Sequence, residues 1–159
     1  MNITPVGWVN SSRTEPLDDD WDSITATISL DAGQFTPEAL WGLDEFSHIE
    51  VVYLFHRVDP DQLQRAARHP RGNQQWPLVG IFAQRGKGRP NRLGLSVCRL
   101  LAVDGLTVTV QALDVIDGTP VLDLKPYMSE FAPRGRVTQP AWSRELMAGH
   151  WDASSATGP

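Results

Sequence analysis

Ile24, Ala26, Ile28 and Leu30 alternate with Thr25, Thr27 and Ser29, and this period of two constrains the fold more than any other feature of the chain. In an extended strand, alternation sends successive side chains to opposite faces, so one face is apolar and the other polar. Residues 49–55 are rich in β-branched and aromatic residues, and residues 78–83, 93–103 and 106–113 continue the pattern, after a first strand over residues 6–9. Asp104-Gly105, between the last two runs, is a hairpin signal. Helical signals are few. Thr36-Pro37-Glu38 opens a short helix through Leu40, Asp59-Pro60 opens another through Arg68, and residues 143–148 form a last one stopped by Gly149. Many strands, Gly/Pro turns and little helix predict a mainly β fold, a single-domain β-barrel-like curled sheet with two or three short helices.

At 159 residues the chain suits one domain with a real core. A hydrophobic fraction of 41% and a charged fraction of 21% are ordinary for a soluble globular protein. No run of about 18 apolar residues exists, which excludes a spanning helix. Met1-Asn2-Ile3-Thr4-Pro5 has neither the basic nor the apolar region of a signal peptide. The single Cys98 cannot form an internal disulfide and sits in an apolar run, where it reads as a packed residue. Together these features predict a cytoplasmic location.

The net charge of −5 is unevenly spread: residues 1–50 carry −9, residues 51–99 carry +7 and residues 100–159 carry −3. Such asymmetry marks either a surface for an anionic partner or acidic and basic segments that pair with each other. The basic excess peaks around a Gly/Pro/Asn turn at residues 80–99, where Arg85, Lys87, Arg89 and Arg92 fall within eight residues with no acid among them. A turn needs Gly, Pro and Asn for their backbone angles. It does not need four cations that repel one another unless an anionic or polar group sits among them.

Conventional signatures are absent. Gly86-Lys87-Gly88 lacks the third glycine of a dinucleotide site, and there is no P-loop, no zinc-like Cys/His spacing and no nucleophile elbow. His48, His56, His69 and His150 are too scattered for a metal cluster, and no metal is expected.

Three blocks in order carry more information: Leu43-Asp44-Glu45-Phe46-Ser47-His48 with Leu54-Phe55-His56-Arg57; the Arg-Pro-Asn turn at Arg89-Pro90-Asn91; and the run from Ala112 through Asp114-Val115-Ile116-Asp117-Gly118-Thr119-Pro120-Val121-Leu122-Asp123-Leu124-Lys125-Pro126-Tyr127. In combination they resemble the TsaA-like family, which includes the S-adenosylmethionine-dependent methyltransferases acting on threonylcarbamoyl-adenosine beside the tRNA anticodon (TrmO). The resemblance runs from about Val6 to Tyr127. It implies a TsaA-like domain, which with its flanks takes in residues 1–140; residues 141–159 hold the last helix and a small, polar tail from Ala153 to Pro159 whose composition predicts disorder. It also implies a homodimer with S-adenosyl-L-methionine bound near the subunit interface.

The same resemblance implies that Arg85 and Leu95 face the cofactor, with His56 and Arg57 at the end of a neighbouring strand. Asp114, Val115, Ile116 and Asp117 would line the pocket largely through backbone groups. A guanidinium at Arg85 suits a forked contact to the carboxylate of the methionine moiety. An amide-like nitrogen acceptor is a poor nucleophile and benefits from a base, for which Asp114, Asp117 and Tyr127 are candidates, with one of the two aspartates expected to be structural. Arg89, Asn91 and Arg92 are placed to hold an anionic substrate such as phosphate. Lys125, alternating with Asp123 and Tyr127, either joins them or serves an edge strand.

This chain departs from tRNA-acting relatives in two places. Gly86-Lys87 and Arg92 replace family residues around the turn, and Glu15-Pro16-Leu17-Asp18-Asp19-Asp20-Trp21 replaces a cofactor loop. The acceptor expected from the resemblance is tRNA. A small-molecule methyl acceptor is the alternative within the enzyme class, and a non-catalytic RNA- or nucleotide-binding module is the alternative outside it.

Overall fold

A computed structural model describes residues 2–151. The strands are β1 (Gly7–Ser11), β2 (Thr25–Leu30), β3 (His48–Leu54), β4 (Ala67–Arg68), β5 (Val79–Gly80), β6 (Leu93–Asp104), β7 (Thr107–Gln111) and β8 (Pro120–Pro126), followed by one α-helix, α1 (Ala141–Met147). Six of the strands close into an antiparallel barrel in the order β1-β2-β7-β6-β3-β8, with β8 returning to pair with β1. The mainly β, barrel-like fold read from the alternation is the fold observed.

A barrel this small has an interior filled by side chains, and the period of two supplies them. Val9, Ala26, Ile28, Ile49, Val51, Val108, Val110 and Val121 are all buried inside. Each fully buried Val, Ile or Leu contributes about 1.5–3 kcal/mol, so the inward row drives closure. Cys98 belongs to it at 1% exposure, and burial pushes its thiol pKa up to about 12, with the Asp114 carboxylate adding to the effect. The residue is part of the packed core. Asp104-Gly105 makes the expected β6–β7 hairpin, with Gly105 at φ +57°.

Three expected elements form only in part. Asp59-Pro60 opens only a single 3-10 turn, Pro60–Gln62, and the chain then extends into β4. The Asp59 side chain caps Asp61 N–H as the signal requires, but no apolar face follows for a longer helix to bury. The run at 78–83 is strand only over Val79–Gly80 before turning through a 3-10 segment, Ile81–Ala83. The helix signal at Thr36-Pro37 likewise yields one 3-10 turn, Pro37–Leu40. The tail expected from Ala153 to Pro159 lies outside the described residues. No helix among the described residues is long and apolar enough to cross a membrane.

Candidate functional site

An open cleft of about 1820 Å³ runs along one end of the barrel. Its floor comes from the ends of β3 and β6 and from the loop between β7 and β8. The basic turn after β5 forms one wall, and the segment around α1 forms another.

The β7–β8 loop is held tightly. Ala112 and Gly118 take left-handed backbone angles of φ +62° and +72°. Gly118 N–H donates to Val9 O at 2.8 Å, and Thr119 Oγ1 donates to Ile116 O at 2.7 Å. Between them Leu113 is buried in the core, which turns Asp114 to the cleft. Asp117 instead accepts the Ser11 N–H at 2.9 Å. It secures its own loop and is not among the lining residues.

Asp114 is the hub of the polar floor. Its Oδ1 accepts a short hydrogen bond from Ser96 Oγ, with Tyr53 Oη at 3.4 Å from the same oxygen and 3.1 Å from Ser96 Oγ. Its Oδ2 lies 3.4 Å from His150 Nε2. Burial alone would raise the Asp114 pKa, but the hydrogen bonds from His150 and Ser96 outweigh it and hold the carboxyl below its ordinary value. Burial, reinforced by this carboxylate, pushes the Tyr53 phenol up, so it stays protonated. Tyr53 reaches this position because Gly94, its partner across the β3–β6 ladder, has no side chain.

The basic turn is ordered by its own residues. Arg89-Pro90-Asn91-Arg92 forms a β-turn closed by Arg92 N–H to Arg89 O at 3.0 Å. Arg85 Nη2 donates to Leu95 O at 2.7 Å, Arg89 Nη1 to Gln84 O at 3.2 Å and Arg92 Nη1 to Val58 O at 3.2 Å. Among the described residues none of these three meets a carboxylate. Other cations do: Arg71 forks onto Asp19 at 2.9 and 3.2 Å, Lys87 lies 3.8 Å from Asp18, and Arg57 lies 3.8 Å from Glu15. The acidic and basic segments of the sequence therefore pair in part, and Arg85, Arg89 and Arg92 remain outside that pairing. Arg68 also lines the cleft, with a buried Nε that has no hydrogen-bond partner among the described residues.

The cleft brings together most of the residues singled out in the sequence. His56, Arg57, Arg85, Leu95, Asp114, Val115 and Ile116 all line it, as do Arg89 and Asn91 at the turn. Arg92, Lys125 and Tyr127 do not. Lys125 stands exposed on the barrel's outer face, ion-paired with Asp123, and Tyr127 continues β8 with its N–H on His48 O. Sequence reasoning missed Tyr53, Ser96 and His150. A lone serine at an inward position of an apolar strand was a signal for the second; nothing local marked the third.

Residues 13–132 match the tRNA-methyltransferase O N-terminal domain family. The chain belongs to that family. The tRNA (adenine(37)-N6)-methyltransferase of Escherichia coli is 37% identical over 112 residues, 67% of this chain and 46% of that protein. A Pseudomonas aeruginosa protein whose name assigns it to the S-adenosylmethionine-dependent methyltransferases is 34% identical over 134 residues, 80% of this chain and 57% of that protein. The crystal structure of TrmO from Pseudomonas aeruginosa superposes with a TM-score of 0.70 at 29% identity, covering 86% of this chain and 60% of that one. The chain thus spans between about half and three fifths of the length of these relatives. Residues 133–151, including α1 and His150, lie beyond the matched family segment.

Proposed function

We propose that this protein is an S-adenosyl-L-methionine-dependent methyltransferase that modifies the N6 position of adenosine 37, as threonylcarbamoyl-adenosine, in tRNA. The observation that carries the reading is the convergence on one cleft of Arg85, Leu95, His56, Arg57 and residues 114–116, which lie far apart in the chain.

The residues present fit such a cofactor. Arg85 spends one Nη on Leu95 O and has further donors for a carboxylate. The orphaned Arg68 Nε is a donor that an anionic ligand group would satisfy. Phe55, Leu95, Val115 and Ile116 offer apolar surface for a base. At about 1820 Å³ the cleft exceeds the ~300–1,000 Å³ of an ordinary small-molecule pocket, leaving room for an acceptor nucleotide beside a cofactor. When bound, the cofactor supplies a methyl carbon activated by an adjoining sulfonium.

The chain's own residues then position and neutralise. Arg85 orients the carboxylate end, and Asp114 stays ionised. His56 is the proton acceptor we assign in place of the aspartates. Burial, then the Arg57 guanidinium, lowers its pKa against a smaller opposing effect of Asp117, so it is a neutral imidazole at pH 7. Arg89 and Asn91 hold backbone phosphate at the rim, and Arg92, just outside the cleft lining, adds its charge to the same phosphate contact. The outward row Leu93, Leu95 and Val97, each about two-fifths exposed, runs from the cleft lining at Leu93 and Leu95 onto the barrel's outer face at Val97, and is the face we assign to a homodimer contact at the edge of the cofactor site. The protein acts in the cytoplasm.

A small-molecule acceptor is the second reading, favoured by the ion pairs that spend Arg57, Arg71 and Lys87 on the acidic segment. Calorimetric titration with S-adenosyl-L-methionine tests the cofactor, and mass analysis of tRNA nucleosides and metabolites from a deletion strain tests the acceptor. No heat of binding would overturn the methyltransferase reading. Unchanged tRNA with an altered metabolite would replace the tRNA acceptor by the small molecule.

A further inference from the structure

His150 sits where three separate pieces of the chain meet. Its Nδ1 lies 2.8 Å from the Asp18 carbonyl oxygen, and its Nε2 lies 3.4 Å from Asp114 Oδ2. Both of these atoms can only accept. A neutral imidazole has one N–H and presents it to one of them while turning a lone pair on the other; only the imidazolium presents an N–H to both and a charge to the carboxylate. The side chain is 13% exposed, so water does not readily stand in for a missing partner.

The surrounding groups favour that charge. Facing His150 are the Asp114 carboxylate from the β7–β8 loop and Asp19 from the acidic loop. Asp18 and Asp19 are held there by Arg71, with Lys87 on Asp18, while Arg13 fixes the Asp19 and Asp20 carbonyls. Behind Asp114 stand the protonated Tyr53 phenol and the protonated Cys98 thiol. On its own segment the Trp151 ring meets it edge-on at 4.6 Å, and Glu145 is occupied by Trp76 Nε1 at 2.9 Å. Burial pulls the His150 pKa down, but the bonds to Asp114 and Asp18 raise it above the ordinary value on balance.

The same residue anchors a wall. The N–H groups of Asp20, Trp21 and Asp22 donate to the carbonyls of Gly149, His150 and Trp151 at 3.1, 3.0 and 2.7 Å. Trp142, Leu146 and Met147 of α1 line the cleft from that side.

We propose that His150 is a positioning residue of the cleft: as an imidazolium bridging Asp114 and the Asp18 carbonyl, it seats the C-terminal segment as a wall of the cleft, and on losing its proton it lets that wall go. His150 itself lies outside the matched family segment, and the proposal does not depend on what the cleft binds.

The full 159-residue chain contains four histidines, so the His150 ring resonance is assigned by comparison with His150→Gln and titrated by NMR. We expect its midpoint above the ordinary histidine value of about 6.5 and a lower one in Asp114→Asn. Amide exchange at Asp20, Trp21 and Asp22, corrected for intrinsic base catalysis, should accelerate about tenfold or more as pH rises through that midpoint, the scale of losing a hydrogen bond to a charged group. His150→Gln should abolish the pH step, and Asp114→Asn should move it to lower pH, which keeps the test available if the His150 variant folds poorly. A His150 midpoint at or below about 6.5, or equal protection on both sides of it, would overturn the proposal. Binding of S-adenosyl-L-methionine should weaken across the same pH step. Its absence at every pH would count against the methyltransferase reading alone, because neither latch measurement uses a ligand.

Discussion

Gly94 faces Tyr53 across the β3–β6 ladder so closely that a Cβ at position 94 would lie 2.1 Å from Tyr53 Cε2 and 2.3 Å from Cζ. The ring is buried, bonded through its hydroxyl to Ser96 and packed edge-on against Phe55 at 5.3 Å. It cannot swing aside without dismantling the cleft floor. Gly94→Ala should therefore destabilise the protein by about 1–3 kcal/mol, the cost of overpacking a core. A urea midpoint unchanged from wild type would show that the ring relaxes freely.

Arg85 supplies the cleft with donors that no carboxylate among the described residues takes up. Arg85→Ala should weaken S-adenosyl-L-methionine binding by about 1.5–3 kcal/mol, the range for a hydrogen bond to a charged group. Its contact to Leu95 O is on the surface, so thermal stability should move little. Equal affinities of variant and wild type by calorimetry would remove Arg85 from the site.

Arg89 and Arg92 lie on a turn free of acids and outside the ion pairs that occupy Arg57, Arg71 and Lys87. Replacing both with Ala should weaken tRNA binding and reduce its salt slope by about two at most, through counterion release. Arg71→Ala, which breaks a pair with Asp19, should leave that slope unchanged. Filter binding over a salt series reads both. Because Arg92 also carries a left-handed φ of +54°, Arg92→Gly should remove the charge at no backbone cost.

The Asp114–His150 pair gives folding stability a pH window. The Asp114 pKa is lowered in the folded state, so its contribution is present above the unfolded carboxyl value of about 3.9 and is lost as pH falls through the folded value. The His150 pKa is raised, so its contribution is full below about 6.5 and is lost as pH rises through the folded value. Denaturation midpoints of wild type should peak between those limits relative to Asp114→Asn. Parallel pH profiles for the two proteins would remove the pair as the source of that dependence.

Alternation within each strand determined the inward row from Val9 to Val121 and the barrel class, because burial of every second side chain is a local property of an extended chain. Turn chemistry determined the Asp104-Gly105 hairpin and the Arg89–Arg92 turn, where Gly and Pro restrict backbone angles by themselves. The three family blocks marked the residues that meet at the cleft. What the sequence alone left undetermined depends on partners far away in the chain. Whether 59–68 or 78–83 became regular elements turned on whether another segment covered them. Asp114 and Asp117, three residues apart in one loop, diverged because one met Ser96 and His150 and the other met Ser11 N–H. Lys125 turned outward because the β3–β8 register opposes it to Glu50 and seats it on Asp123. His150 had no local signal at all. Its charge and its role follow from closure of the barrel, which brought a carboxylate 36 positions upstream and a carbonyl 132 positions upstream onto the two sides of one ring.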